Sequence, residues 1–548
     1  MSNLKEWDID EHAAKFPCLR EFCIVNCPQL SGRFPCSLNS LETLVIRQCT
    51  QLVVSVSNLP QLHDLEIGGC AELVLRDDAD LPSLRKVSLS NVSKFSPLTE
   101  RLVSGLTNLD HLRISNCNEL ASLSWKQFSS VRHLRSLRSL EMLSFPLLEV
   151  EAQQLQLEKV CTIESLTIGN CEKLQRLPQD LHFLKFLTEM QIKGCPCIVS
   201  FSKKNLSPAL KRLVIQSCTN LMFLINQGEN ISIDNTFPLE HLEIMDCPSL
   251  VSLSWPIRLQ VLIVSHCSKL ASLSSSGEFP VGLKQLVIKD CLALESIVHT
   301  IHETSSLELL EIWRCRNIKA LPQGLNKLDH VEKINIFESL VSLKASRLPP
   351  RKLKSLCIMD CQSLGDLPNM QNFTALKELS LSYCSPDLPF PKEGLPTTLT
   401  SLSVTGPNLC HTLFQWGLHR LTSLKKLSID GVGCPHVVTF PPEGCVLPPT
   451  LTTITISGFG NLRSFSTTGF QYVDSLRELW IHNCPELESL PEKEVLVSVW
   501  KLYIWRCHIT LLGQFIMNHG AEWLKISHIP DVIVDRQSII PKATWDQY

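Results

Sequence analysis

Cysteine and histidine are the residues of this chain best equipped for chemistry, and there are 24 of the first and 17 of the second. Cys410-His411, Cys434-Pro-His436 and Cys445 could be drawn together as a zinc set. Their spacing fits no zinc-site pattern, in which short Cys or His pairs complete a tetrahedron. No G-x-S-x-G elbow, H-E-x-x-H helix or dinucleotide fingerprint occurs. The sequence therefore offers no catalytic residue, no metal ligand and no cofactor site. A second kind of chemistry is recognition, for which exposed aromatic rings beside arginine are the usual material. Where such rings lie depends on the elements that carry them.

Those elements repeat. Leu19/Phe22/Ile24/Cys27, Leu109/Leu112/Ile114/Cys117, Leu210/Leu213/Ile215/Cys218, Leu353/Leu356/Ile358/Cys361 and Leu476/Leu479/Ile481/Cys484 are copies of one phrase, L-x-x-L-x-I-x-x-C. About 21 copies run from Leu19 to Cys507 at a mean spacing of about 24 residues, inside the window of leucine-rich repeats. Apolar and polar residues alternate within the phrase, the mark of a short strand with one buried face. In one copy Leu283, Leu286, Ile288 and Cys291 point inward, and Gln285, Val287, Lys289 and Asp290 point outward. About fifteen cysteines take the ninth place, where a thiol packs as a small hydrophobe under the turn and meets backbone groups. A whole column in one structural place argues for reduced, structural cysteines and a reducing compartment.

After the cysteine comes L-x-x-L, as in Leu120/Leu123, Leu250/Leu253 and Leu487/Leu490, often followed by proline at 178, 322, 368 or 491. Proline is excluded from helix interiors. The return half of each repeat is therefore expected as loops, 3-10 turns and short helices, with 417–424 the better helical candidate. The predicted fold is an α/β solenoid, a leucine-rich-repeat horseshoe with a long curved parallel β-sheet on its concave face. The repeats span residues 16–510, with a degraded or uncapped edge at 1–15, irregular insertions near 131–160 and 225–237, and a cap and tail at 511–548. Three copies lose the cysteine, ending in Val92, Ser339 and Pro407. Repeats begin almost at the first residue without an evident cap, so the chain reads as the carboxyl-terminal piece of a longer design.

The net charge of −3 makes no electrostatic case for nucleic acid as the partner. The amino end has no apolar signal core, and no run approaches the ~20 apolar residues of a membrane span. Exposed places of the phrase are more informative. Trp313, Phe337 and Met359 hold the seventh place in three successive copies, with Tyr383 at the eighth place of the next. They are expected to form one row flanked by Arg314 and Glu338. A second cluster comprises Trp480, His482, Tyr503, Trp505 and Arg506 in two adjacent copies. Arg47, Lys193 and Lys289 are interspersed with Glu66, Glu243 and Glu311, which reads as a solvated face.

The wording of the repeats resembles the leucine-rich-repeat region of plant coiled-coil, nucleotide-binding, leucine-rich-repeat (NLR) disease-resistance proteins. The residues that carry the resemblance are Leu19-Arg-Glu-Phe-Cys-Ile-Val-Asn-Cys-Pro-Gln-Leu30, Phe390-Pro-Lys-Glu-Gly-Leu-Pro-Thr-Thr-Leu399, Phe440-Pro-Pro-Glu-Gly444, Leu487-Glu-Ser-Leu-Pro-Glu-Lys493 and Glu522-Trp-Leu-Lys-Ile-Ser-His-Ile-Pro530. The resemblance implies a cytoplasmic or nuclear recognition module in plant innate immunity. Its partners would be a pathogen effector or a guarded host protein, and an NB-ARC-type nucleotide-binding module in cis or trans. The G-x-x-x-x-G-K-[ST] phosphate loop of that module is not in this chain, so nucleotide binding does not carry over. The alternative is a free-standing leucine-rich-repeat scaffold or adaptor.

Overall fold

A strand only five residues long holds its place when alternate side chains enter a common core and every backbone group finds a neighbouring strand. The phrase meets both conditions. Leu476, Leu479, Ile481 and Cys484 are each 0% exposed, while Trp480 and His482 between them face outward. The computed structural model describes residues 5, 16–31, 38–56, 59–75, 81–92, 94–95, 106–116, 136–144, 162–177, 179–202, 206–225, 238–253, 258–273, 279–339, 348–349, 351–362, 364, 367, 369–385, 388–391, 393–508 and 520–539. Of the expected insertions only 136–144, with the strand Ser139–Leu143, and Ile225 are among these residues, and nearly all of 1–15 lies outside them. The chain divides into two compact units, Met1–Ser276 and Gly277–Tyr548.

The first unit stacks eleven phrase strands, from Glu21–Val25 to Val261–Ser265, each parallel to the next and paired residue for residue. Two of them are long, Thr43–Val56 and Asp64–Leu75, because pairing continues into the return segment. The second unit stacks ten in the same way, from Gln285–Lys289 to Lys501–Trp505. Asp531–Val534 then pairs parallel with Lys501–Trp505, and Gln537–Ser538 folds back antiparallel on it. Both units are parallel-sheet solenoids built from leucine-rich repeats. Helices are few among the described residues, and the longest is Pro407–Trp416. It lies just before the stretch 417–424, which contains only the 3-10 turn Leu418–Arg420. The physical reason is legible afterwards. Pro407 takes the first helical turn, where its missing N–H is harmless, and Gly417, at φ 98°, ends the helix.

The cysteine column has a specific chemistry. Each thiol donates to the carbonyl two residues earlier, as in Cys315 to Trp313 at 3.2 Å, Cys484 to His482 at 3.3 Å and Cys247 to Met245 at 3.4 Å. The sulfur also accepts the backbone N–H of the ninth residue one repeat back, Cys27 for Cys49 and Cys49 for Cys70. A small group that donates and accepts in one buried place is what the turn requires. Burial pushes the Cys70 and Cys247 thiols up to about 12 and the Cys218 and Cys361 thiols up to about 11. They therefore keep the proton they donate.

Ser339 confirms the logic by substitution. It is 1% exposed, donates to Phe337 O at 2.8 Å and accepts Cys315 N–H at 3.2 Å. Ser339→Ala leaves the buried Cys315 N–H without an acceptor and takes one of two donors from the Phe337 carbonyl, which keeps Arg314 N–H, and should lower stability by about 1–3 kcal/mol in urea denaturation. Ser339→Cys restores both bonds and is expected within about 0.5 kcal/mol of the parent. An alanine variant as stable as the cysteine variant would show that the place needs only volume.

The return half of the second unit carries a phenylalanine core that the phrase does not mark. Phe440, 0% exposed, has the rings of Phe414 and Phe459 at 6.1 Å and those of Phe465 and Phe470 at 6.4 Å. The ring of Phe459 presses so closely on Gly431 that any Cβ there would collide with it.

Candidate functional site

The strand that places a leucine inward must place its odd-numbered neighbours outward, so the open face of the second unit is written at the fifth and seventh places of the phrase. At the seventh place the residues that meet in register are Lys289, Trp313, Phe337, Met359 and Ser382. Trp313 and Phe337 stack with centroids 3.7 Å apart at 21°. Lys289 Nζ lies 5.3 Å from the Trp313 ring centre. The indole N–H of Trp313 is buried with no acceptor among the described residues. Arg314 pairs with Asp290 at 2.9 Å and Arg316 with Glu338 at 3.6 Å.

Tyr383 departs from the row expected of it, because its neighbour Ser382 takes the register position beside Met359. The tyrosine is exposed, and its hydroxyl donates to Asp430 Oδ2 at 2.9 Å. Burial and that carboxylate push the phenol up to about 12. Val287, expected outward, is on this face but covered, at 8% exposure.

Beyond Met359 the face turns small and polar. Ser380, Ser403, Ser428 and Thr455 follow one another at the fifth place, and Thr405, Asp430 and Ser457 at the seventh. Then the rings return. Thr455 meets Trp480, which meets Tyr503, and Ser457 meets His482, which meets Trp505. Centroid separations are 5.0 Å for Trp480–Tyr503, 5.3 Å for His482–Tyr503 and 6.2 Å for His482–Trp505. All four rings are half-buried against one another, and their outer faces remain in solvent. Burial lowers the pKa of His482, which favours the neutral imidazole among the rings. Trp480 Nε1 donates to Glu478 at 3.3 Å, and Lys501 Nζ sits 5.1 Å from the Trp480 ring.

Trp505 carries two guanidiniums. Arg506 Cζ is 4.6 Å from its ring centre and Arg536 Cζ 5.3 Å. Arg536 escaped the sequence reading because it lies past the last phrase, in the turn between Asp531–Val534 and Gln537–Ser538. One backbone property of the phrase is not visible in the sequence. The eighth place of the phrase is left-handed in most repeats, with Asn26, Asn116, Asn170, Asp246 and Asn483 at φ 49–58°. Asn, Asp and Gly accept that conformation cheaply, whereas longer side chains cost about 1 kcal/mol or more. Arg314, Glu338, Tyr383 and Arg506 accept it at φ 45–51° beside the ring clusters and Arg536 at φ 70°, and Gln48 and His266 accept it at φ 57° and 54° away from them.

Four of the five residues drawn as a zinc set come near one another. His411, Cys434, His436 and Cys445 line a cavity of about 910 Å³ under the helix Pro407–Trp416. Among the described residues no group of three or more His, Cys, Asp or Glu is placed to hold an ion. No described helix is long and apolar enough to cross a membrane.

No protein-family model matches the chain. It is 28% identical over 381 residues to a disease-resistance-type protein of Arabidopsis thaliana, covering 68% of this chain and 23% of that one. It is 25% identical over 283 residues to the disease resistance protein RPS6 of the same plant, covering 48% and 24%. The chain thus spans about a quarter of the length of these relatives. Among solved structures, a TLR13–ssRNA13 complex aligns at 15% identity and a TM-score of 0.46 over 93% of this chain and 85% of that one. The sequence likeness is to plant disease resistance proteins.

Proposed function

We propose that this chain is the protein-recognition module of a plant intracellular immune receptor. The open sheet face of its second unit binds a pathogen effector, or a host protein that effectors modify, and in a complete receptor the repeats restrain a nucleotide-binding module. Binding is non-covalent and without turnover. The observation that carries this reading is the contiguous patch of Trp480, His482, Tyr503 and Trp505, half-open on a rigid sheet and edged by arginine. Aromatic and arginine side chains in a desolvated cluster are the composition of binding hot spots. Similarity to plant disease resistance proteins supports the immune setting. Thiols held protonated by burial suit a reducing cytoplasm.

The test is a two-hybrid screen against secreted pathogen proteins, with affinities measured on purified pairs. The triple change Trp480→Ala, Tyr503→Ala and Trp505→Ala should weaken binding at least about 30-fold, the effect of losing one hot spot or more. The melting temperature should move by under about 4 °C. Leu479→Ala is the folding control, losing stability along with binding. Unchanged affinity in the triple variant would remove this face from recognition. Co-purification with a nucleotide-binding module tests the restraint role, which falls if the two do not associate.

A further inference from the structure

Resting on that recognition reading, we infer that the partner docks an acidic protein segment on Trp505, with a carboxylate held between Arg506 and Arg536 and an adjacent apolar side chain laid on Trp480 and Tyr503. Other arginines on the sheet face are paired with acids. Arg47 meets Glu66 at 2.6 Å, Arg212 meets Glu243 at 3.3 Å, Arg113 meets Glu141 at 3.5 Å and Arg314 meets Asp290 at 2.9 Å. Each positive charge is neutralised by an acid on a neighbouring strand. Arg506 and Arg536 have no carboxylate within ion-pair distance among the described residues.

The nearby acids are engaged elsewhere. Asp535 Oδ1 accepts the backbone N–H of Arg506 at 2.9 Å, Asp531 faces Lys501 at 4.0 Å, and Glu478 accepts from Trp480. Both guanidiniums instead lie over the Trp505 ring, a contact that leaves their N–H donors for another acceptor. Both backbones are left-handed, Arg506 at the eighth place of the phrase and Arg536 in its hairpin turn. Two guanidiniums without a carboxylate partner beside a ring patch complement a carboxylate, which accepts bidentate hydrogen bonds from a guanidinium.

The test pans the full chain against random peptides displayed on phage. Recovered peptides should carry Asp or Glu next to an apolar residue. Their affinity should fall about tenfold in the Arg506→Gln/Arg536→Gln double variant and decline as salt rises. The double variant Arg506→Glu/Arg536→Glu should select Lys or Arg peptides instead. Both arginines are exposed, and the neutral pair of changes serves if the charge-reversed chain fails to fold. Peptides that bind both double variants as well as the parent, yet are lost from the ring triple variant, would overturn the acidic partner while leaving the ring surface in place. Recovery no better than from the ring triple variant would overturn both. Displacement of the selected peptides by an oligothymidylate at lower concentration than by free peptide would also overturn it, in favour of phosphate.

Discussion

Phe440→Ala is expected to lower the stability of the second unit by about 3–5 kcal/mol, the cost of removing a buried ring from a core that can only partly close. The size follows from the surroundings. Phe440 is 0% exposed and has four phenylalanine rings within 6.4 Å, one from the helix Pro407–Trp416 and three from the return segment after Thr453–Ser457. The hole would be walled by rings anchored in different repeats. Phe459 cannot swing into it freely, being wedged against Gly431. Because a solenoid's stability is nearly a sum of repeats and their nearest-neighbour interfaces, the loss should be local. Hydrogen exchange should accelerate at Lys426–Asp430 and Thr453–Ser457 and leave the first unit unchanged. Phe186→Ala is the control, since that ring is 58% exposed and its removal should cost under about 0.5 kcal/mol. Equal destabilisation by the two changes would mean that the phenylalanine cluster is not a core.

The strands were legible in the sequence because their information is periodic. A residue's inward or outward aim follows from its place in the phrase, so Leu479 and Trp480 could be assigned to opposite faces without coordinates. The ring clusters were legible for the same reason. Three other features were not. Tyr383 was expected to extend the row of Trp313, but the turn at the eighth place points its side chain along another path, to Asp430. That left-handed turn is a backbone property, and a column holding Asn, Gly, Arg, Glu and Tyr does not announce it. The phenylalanine core is hidden because Phe414, Phe440, Phe465 and Phe470 lie in return segments of varying length, where no fixed period aligns them. Arg536 belongs to a hairpin after the last phrase, and its proximity to Trp505 depends on the pairing of Asp531–Val534 with Lys501–Trp505. The helix Pro407–Trp416 is not announced, because Pro407 reads as a broken phrase rather than as a helix start.

Glu522→Ala is expected to destabilise the carboxyl-terminal repeats by about 3 kcal/mol, the scale for stripping one member from a buried charged pair. Glu522 is the one acidic side chain buried among the described residues, at 8% exposure. Its Oε1 lies 3.0 Å from Lys525 Nζ, one helical turn on, and its Oε2 accepts Leu490 N–H at 2.8 Å. Lys525 also donates to Leu490 O at 3.3 Å and pairs with Glu492 at 3.1 Å. The short helix Ala521–Ile526 is thereby tied to the return segment of an earlier repeat through both polar groups of Leu490. Alanine would leave a buried N–H without an acceptor and a lysine with one carboxylate instead of two. Glu522→Gln keeps the acceptor for Leu490 and should recover about half of the loss, the share of a hydrogen bond without its charge. The unfolding should begin at the tied element. Exchange protection should fall first at Asp531–Val534, the last parallel strand of the sheet, and the stacking of Arg536 on Trp505 should loosen with it. Partner affinity at the rings would then drop in the alanine variant although no contact residue has changed. A variant that loses stability while keeping the exchange pattern of Asp531–Val534 would separate Glu522 from the strand, and with it the dependence of the ring surface on this end of the solenoid.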